Sequence, residues 1–291
     1  MVADLDLRIG PGERVLLAGP SGAGKSTLLH ALVGALGTTI SGELGGRVDV
    51  AGRVALVPQT PGAAVVAERI GRDVAFGPEN LGLARDEIWR RVDAALESVG
   101  LRQGRDHPTS ALSGGELQRL ALAGVLAVSP DVVLLDEPTS MLDAAHAASV
   151  RDAVARSVAA SDATLVVVEH RIEPWIDLVD RVVVLGADGV VVADVPPDRF
   201  VREHRDALGD LGVWMPGLEA PRPMELDPDR VRPHRPLDAI AWSHLTVDLR
   251  SRSMRGTTTT RALDDVDAGL DPGRLTALTG PSGAGKSTLL A

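Results

Sequence analysis

Eleven residues, Gly-Pro-Ser-Gly-Ala-Gly-Lys-Ser-Thr-Leu-Leu, occupy positions 19–29 and recur unchanged at 280–290. Each copy fits GxxxxGK[ST], a pattern that has meaning only where a strand runs into a glycine loop and a helix follows. The apolar run Val15-Leu16-Leu17-Ala18 stands directly before the first copy and reads as a buried strand, and from Ser26 onward the sequence reads as a helix. Such a joint commits the chain to an α/β fold. Gly19, Gly22 and Gly24 let the backbone curl its N–H groups around phosphate oxygens, with Pro20, Ser21 and Ala23 completing the loop and Thr27 in the first helical turn. The helix N-terminus adds its dipole, Lys25 reaches the outer phosphates, and the Ser26 hydroxyl ligates Mg²⁺.

The repeat also sets the organisation. At the same offset Asp4, Asp6, Pro11 and Gly12 map onto Asp265, Asp267, Pro272 and Gly273, so the repeated unit is domain-sized and far too long for a solenoid. The chain reads as one nearly complete unit over 1–215, a linker over 216–236 with six prolines, and the opening of a second unit over 237–291. Lys25 and Lys286, one in each loop, are the only lysines among 30 basic residues. Arginine serves wherever a generic positive charge suffices, and the two exceptions mark places that need a slim ammonium.

Between the loops, strands alternate with helices. Residues 42–59, punctuated by glycine and alternating in β-branched residues, read as antiparallel strands. Ile88, Val92, Leu96 and Val99 share one face of a helix predicted over 84–99, and 115–128 reads as a second helix rich in Ala and Leu. There follow the strand Val132–Leu135, a helix over 144–160, the strand Thr164–Val168 and a closing hairpin over 181–194. Near-continuous apolar strands between helices predict a parallel sheet covered on both faces. Residues 239–249 are strand-like and are expected to pair where the first unit lacks a leading strand.

Composition removes other classes. With 44 % hydrophobic residues a sizeable core is available. The absence of Cys excludes disulfides, zinc fingers, iron–sulfur clusters and a thiol nucleophile. Apolar runs such as 120–128 break well short of the roughly 18 residues that a membrane span needs. The first ten residues carry acids where a signal peptide would be basic and then apolar. A net charge of −10 opposes nucleic acid as a partner.

Two further clusters carry chemistry. The strand at 132–135 ends in Asp136, placed to face a Mg²⁺ ion, and Glu137, one residue on, can polarise an attacking water. Ser113, Gly114 and Gly115 open the Ala/Leu-rich helix and form a second anion-binding helix end. Two anion sites in one unit imply a head-to-tail pair of units.

The phosphate loop, Leu112-Ser113-Gly114-Gly115-Glu116, the run LLDEPTSMLD at 134–143 and VVVEHR at 166–171 together resemble the ATPase domain of ATP-binding cassette (ABC) transporters. That resemblance implies a P-loop fold with a parallel sheet core, an antiparallel β subdomain and a helical subdomain, followed by the start of a second copy. It implies ATP and Mg²⁺ as ligands. It makes Gln59 a glutamine linked to Mg²⁺ and water, Ser113 to Gly115 the signature closing on ATP held by the opposite domain, and Asp143 the acid of the D-loop. His170 becomes the switch histidine facing the γ-phosphate, beside Glu137 and Lys25. Residues 73–88 and 168–194 further resemble the ATPases of energy-coupling factor (ECF) transporters, the cobalt- and vitamin-uptake branch, some with two ATPase domains in one chain.

The resemblance implies integral membrane transport subunits and a separate substrate-binding membrane subunit as partners, and a peripheral position on the cytoplasmic face of the membrane. An ABC ATPase of another importer or of an exporter, and a soluble ABC protein acting on ribosomes or DNA, are the alternatives. The chain departs from the family where an aromatic residue usually stacks on adenine: there is no Tyr, and Trp242 and His244 are the nearest candidates in the second unit. Trp89, Trp175 and Trp214 read as core or subunit-contact residues. In the second loop Gly280, Gly283, Gly285, Lys286, Ser287 and Thr288 repeat the ligand residues, yet no acid pair or signature follows, which predicts weak or no independent nucleotide binding.

Overall fold

The computed structural model describes residues 5–140, 142–203, 240–253, 256–272, 274–280 and 284–290. The predicted linker, Trp214 and Gly283 lie outside them. The chain forms two compact units, Met1–Glu219 and Ala220–Ala291.

The first unit is built on six strands: β1 (Arg14–Ala18), β2 (Val54–Val57), β3 (Val132–Asp136), β4 (Thr164–Val168), β5 (Arg181–Leu185) and β6 (Val191–Val195). Their order is β2-β3-β4-β1-β5-β6. All neighbours are parallel except β5 and β6, which form the predicted closing hairpin. Side chains alternate between faces along each strand, and both faces are covered. Leu16, Val133, Leu165 and Val182 join one core cluster, while Val15, Leu17, Leu134, Val166 and Val183 join another with Ala23 and Leu29. Apolar side chains at every position, rather than at every second one, are what this two-sided burial requires.

The helices are α1 (Lys25–Leu32), α2 (Ile70–Asn80), α3 (Arg85–Ser98), α4 (Gly114–Ala127), α5 (Ala144–Ala159) and α6 (Pro197–Glu203). Helix α3 buries Ile88, Val92, Ala95 and Leu96, the face its periodicity predicts. Helix α4 starts on a capping box: the Ser113 hydroxyl accepts from the Glu116 N–H, and the Glu116 carboxylate accepts from the Ser113 N–H at 2.8 Å. Trp175 is fully buried. Trp89 is partly buried, with the guanidinium carbons of Arg105 and Arg72 at 4.7 and 5.7 Å from its ring centroid.

One expectation fails. Of the antiparallel strands predicted over 42–59, only β2 forms, and it runs parallel to β3; residues 42–53 form no strand and are largely exposed. Among the described residues of this unit, 42–59 therefore forms no antiparallel pair. Glycines at 42, 45, 46 and 52 raise the entropic cost of extension, and no described strand of the unit lies beside the segment to repay it. At Gly52 (φ +92°) the chain turns, and the Arg53 N–H donates to Asp131 Oδ2 at 2.6 Å, which steers it into β2.

In the second unit β7 (Ile240–Ser253) pairs antiparallel with β8 (Gly256–Leu270), and a short helix α7 spans Lys286–Leu290. The strand partner of the strand-like segment 239–249 is thus β8, not an edge of the first sheet. Among the described residues no helix is long and apolar enough to cross a membrane.

Candidate functional site

Parallel pairing brings the chemistry together. Leu17 of β1 and Asp136 of β3 are both in register with Val168 of β4, so the three strands end at one edge of the sheet and the segments after them emerge side by side. Those segments carry the glycine loop, Glu137 and His170.

The glycine loop leaves β1 at Gly19, whose φ of +143° and position leave no room for a side chain: a Cβ there would lie 2.3 Å from the Leu185 carbonyl oxygen. Gly24, at φ +93°, is the left-handed N-cap of α1. Lys25 is only 5 % exposed, and its Nζ donates to the carbonyls of Gly19 and Pro20, both at 2.8 Å. Burial pushes the Lys25 ammonium below the usual lysine range, while the charges of Glu137 and Asp136 act to hold it up. The Ser26 hydroxyl donates to Asp136 Oδ1 at 3.0 Å. Burial pushes the Asp136 carboxyl up, opposed by that hydrogen bond, with the neighbouring Glu137 charge raising it further.

Glu137 has φ +46°, a left-handed conformation that is rare for a residue with a side chain. Its carboxylate is held on both sides: Gln59 Nε2 donates to Oε2 at 2.8 Å, and His170 Nε2 lies 2.9 Å from Oε1. The sequence-predicted Gln59, Glu137 and His170 thus meet, beside Asp136, Ser26 and Lys25. Ser21, Gly22 and Thr27 are exposed, whereas Ala23 packs into the core cluster under the loop.

Ser113 is the N-cap of α4, and Gly114 and Gly115 form its first turn. The Ser113 hydroxyl donates to Glu116 Oε2 at 2.8 Å. Burial pushes Glu116 up, but bonds from the Ser113 N–H and hydroxyl and from Gln103 outweigh it and keep the carboxyl below its usual range. Asp143 caps α5, accepting from the His146 N–H at 3.0 Å and facing His146 Nδ1 at 2.8 Å. The His146 ring in turn packs under Gly115, where an added Cβ would come within 2.9 Å of it. His146 therefore links Asp143 to the helix start at Gly115, a contact that sequence reasoning misses; the spacing of three from Asp143 is the available signal. Glu169, directly before His170, was likewise passed over. It is 2 % exposed and accepts from the Thr139 N–H and hydroxyl.

The oxygen donors suit Mg²⁺. A hydroxyl and a carboxylate 3.0 Å apart can face one hard cation, and Mg²⁺ commonly takes one or two protein oxygens plus substrate phosphates. Among the described residues no cluster of three or more His, Asp or Glu is arranged to hold a metal, and such a shared ion needs none. Gln59 stands on Glu137 rather than on the Ser26–Asp136 pair.

In the second loop, Lys286 Nζ donates to the Gly280 carbonyl at 2.8 Å, and α7, with Ser287 and Thr288, buries none of its residues. Gly285 approaches β8: a Cβ there would lie 2.6 Å from the Ala262 carbonyl oxygen. Trp242 faces Ala268 across the β7–β8 ladder, and His244 Nδ1 lies 2.7 Å from Asp265 Oδ1.

Residues 2–140 match the family model described as ABC transporter. A putative ABC transporter ATP-binding protein of Streptomyces coelicolor is 36 % identical, over 99 % of this chain and 61 % of its own length. Another, of Pyrococcus horikoshii, is 37 % identical over 73 % of this chain and 78 % of its own length. Among solved structures, CbiO1 from Clostridium perfringens, described as part of the ABC transporter complex CbiONQ, superposes with a TM-score of 0.59 and 28 % identity, over 72 % of this chain and 90 % of that one. The chain spans little more than half the length of several curated relatives, 56 % of one from Methanosarcina mazei among them. With a glycine loop, acids and sheet order of this kind, and with relatives this similar, the chain belongs to the ABC transporter ATP-binding protein family, a family of ATPases.

Proposed function

We propose that this chain is an ATP-hydrolysing subunit of a membrane transport complex of the ECF kind, importing a vitamin or a metal ion. The observation that carries hydrolysis is the placement of Glu137, gripped by Gln59 and His170 one residue beyond the acid that Ser26 of the glycine loop touches. The finer assignment is supported by the likeness to CbiO1, a component of CbiONQ.

In this reading the glycine loop from Gly19 to Thr27 wraps the phosphates of ATP. Lys25 exchanges its two carbonyl partners for phosphate oxygens and holds the charge that develops on the transferred group. Ser26 and Asp136 would hold Mg²⁺, with Gln59 able to join them, and the ion when bound would supply neutralisation of phosphate charge. Glu137 orients the attacking water and accepts its proton, and His170 holds the Glu137 carboxylate towards the γ-phosphate. Ser113 to Gly115 and Asp143 of a facing ABC domain complete the site across a head-to-tail dimer. Membrane subunits dock on the segment after Gln59 and on α2, where Val66, Phe76 and Leu81 are exposed apolar residues; a separate membrane subunit selects the substrate. The chain works at the cytoplasmic face of the membrane, without nucleic acid.

Glu137→Gln tests the assignment. Phosphate release is expected to fall by about 100-fold or more, the scale of a lost general base, with ATP binding retained. Full ATPase activity in that variant overturns the assignment. Co-purification of the wild-type chain with a multispanning membrane protein supports transport; co-purification with RNA instead overturns it.

A further inference from the structure

Glu137 occupies a backbone conformation that has to be imposed. A non-glycine residue at φ +46° is strained and persists only where the surroundings over-determine it. Pro138 has no N–H, so the backbone donors of the turn after β3 are those of Glu137, Thr139 and Ser140. The first donates to the Val168 carbonyl at 2.9 Å, which continues the β3–β4 pairing by one residue. The last bonds back within the turn, to the Glu137 carbonyl at 3.2 Å. Thr139 lies beyond the reach of the strand ladder, and its N–H goes to a side chain.

That side chain is Glu169. Its Oε1 accepts from the Thr139 N–H at 2.8 Å and from the Thr139 hydroxyl at 2.6 Å. Glu169 sits between Val168, which bonds the Glu137 N–H, and His170, whose Nε2 faces the Glu137 carboxylate. A carboxylate only 2 % exposed at the end of a wholly buried strand is costly to bury, and burial pushes its pKa up, while the two Thr139 bonds and one from the His170 backbone act against it. An apolar residue would fill the same volume without that cost. It would also leave the part-buried Thr139 N–H without that acceptor.

We propose that Glu169 is a positioning residue for hydrolysis: it clasps Thr139, and so holds the left-handed turn that presents the Glu137 carboxylate to His170 and to the attacking water. Glu169 itself touches no reacting group. This rests on the reading of Glu137 as the residue that orients water. The clasp links two segments that carry different parts of the site, the turn after β3 and the end of β4, so that Glu137 and His170 are set by one buried carboxylate rather than by two independent loops.

The test compares Glu169→Ala and Glu169→Gln with wild type in steady-state ATPase assays and in nucleotide binding. A misplacement of about 1 Å at a reacting group costs up to about 100-fold, so Glu169→Ala is expected to lower kcat by about tenfold or more, with KM for ATP and nucleotide affinity within about threefold of wild type. Glu169→Gln keeps an acceptor oxygen at the Oε1 position and is expected to recover kcat to within about threefold. If Glu169→Ala does not fold, Thr139→Val removes one of the two bonds and carries the test, with a several-fold drop in kcat at constant KM. Unchanged kcat in the foldable variant overturns the proposal, as do parallel losses in kcat, nucleotide affinity and thermal stability that Glu169→Gln does not relieve. A wild-type chain without ATPase activity, or a fully active Glu137→Gln, overturns instead the reading on which the proposal rests.

Discussion

Residues 19–29 and 280–290 have one sequence and two surroundings. At the described positions of both they agree: Gly19 and Gly280 have φ of +143° and +152°, Gly24 and Gly285 have φ of +93° and +81°, and each lysine ammonium bonds the carbonyl of the first glycine at 2.8 Å. Beyond the loop they part. Lys25 is buried at the start of α1, in the loop-to-helix joint that follows a strand clamped between β4 and β5, near Asp136 and Glu137, and α1 anchors itself through Leu29. Ahead of Lys286 the chain forms no strand over 274–280, Leu275 and Leu278 are exposed, and α7 buries nothing. The shared string therefore carries the glycine torsions and the lysine contact, and not the surroundings. The acid that meets Ser26 comes from 110 positions away in sequence, and no local string can supply it.

The strongest way to break this comparison is to remove each lysine in turn. Lys25→Ala is expected to depress ATP hydrolysis by about 100-fold or more, the scale of losing one preorganised group that stabilises developing charge. Lys286→Ala is expected to leave the rate within about twofold, as substitutions away from special features change energies by about 0.5 kcal/mol or less. Phosphate release by the two variants measures both. Comparable losses would mean that the second loop takes part in turnover and that the surroundings matter less than the shared geometry.

A smaller effect separates the two first glycines. At Gly19 a methyl group would meet the Leu185 carbonyl oxygen at 2.3 Å, backbone against backbone, in a conformation that L-residues rarely adopt. Gly19→Ala is expected to destabilise the first unit by about 2–3 kcal/mol, since backbone strain of this kind costs about 1–3 kcal/mol before the clash is added. At Gly280 the same methyl would meet only the Ala284 Cβ, at an ordinary 3.6 Å. Gly280→Ala should leave the denaturant midpoint of the first unit where it is, and a shift equal to that of Gly19→Ala would sink the distinction.

The sequence makes parts of this legible for reasons that the two loops illustrate. The glycine loop, the Ser113–Glu116 capping box and the α3 stripe of Ile88, Val92 and Leu96 are written in contiguous residues or at helical spacing, and the structure contains each of them. The strand at 42–53 was misread because its alternation is local but its pairing is not: a strand exists only where a neighbour runs beside it. Helix α2 carries Gly71, Gly77 and Pro78, which obscure its period, although Gly77 is required where α2 meets Val128 of the segment after α4. Glu169 and His146 went unassigned because each acts on a group brought near only by folding, Thr139 in one case and Gly115 in the other.

The smallest effect compares one hairpin from each unit. Both hairpins carry a cross-strand Arg–Asp pair, but Arg181 grips Asp194 through two bonds of 2.5 Å and also reaches Glu13 and the Arg8 carbonyl, whereas Arg261 holds Asp248 through one bond of 3.0 Å and is shared with Asp264. The bond from Arg181 holds the Asp194 carboxyl below its ordinary value of 3.8. Both pairs are solvent-screened, so Asp194→Asn is expected to cost about 0.5–1 kcal/mol, and Asp248→Asn, whose partner Arg261 is exposed, is expected to cost less. The sign of the pH dependence follows from linkage. A carboxyl whose pKa is lower folded than unfolded contributes its full stability above 3.8 and loses it as the pH falls through the lowered folded value. The gap between wild type and Asp194→Asn should therefore be constant near neutrality and close in acid. A gap that ignores pH would mean that Asp194 acts by packing rather than by charge, and a larger loss at Asp248 would reverse the ranking of the two hairpins.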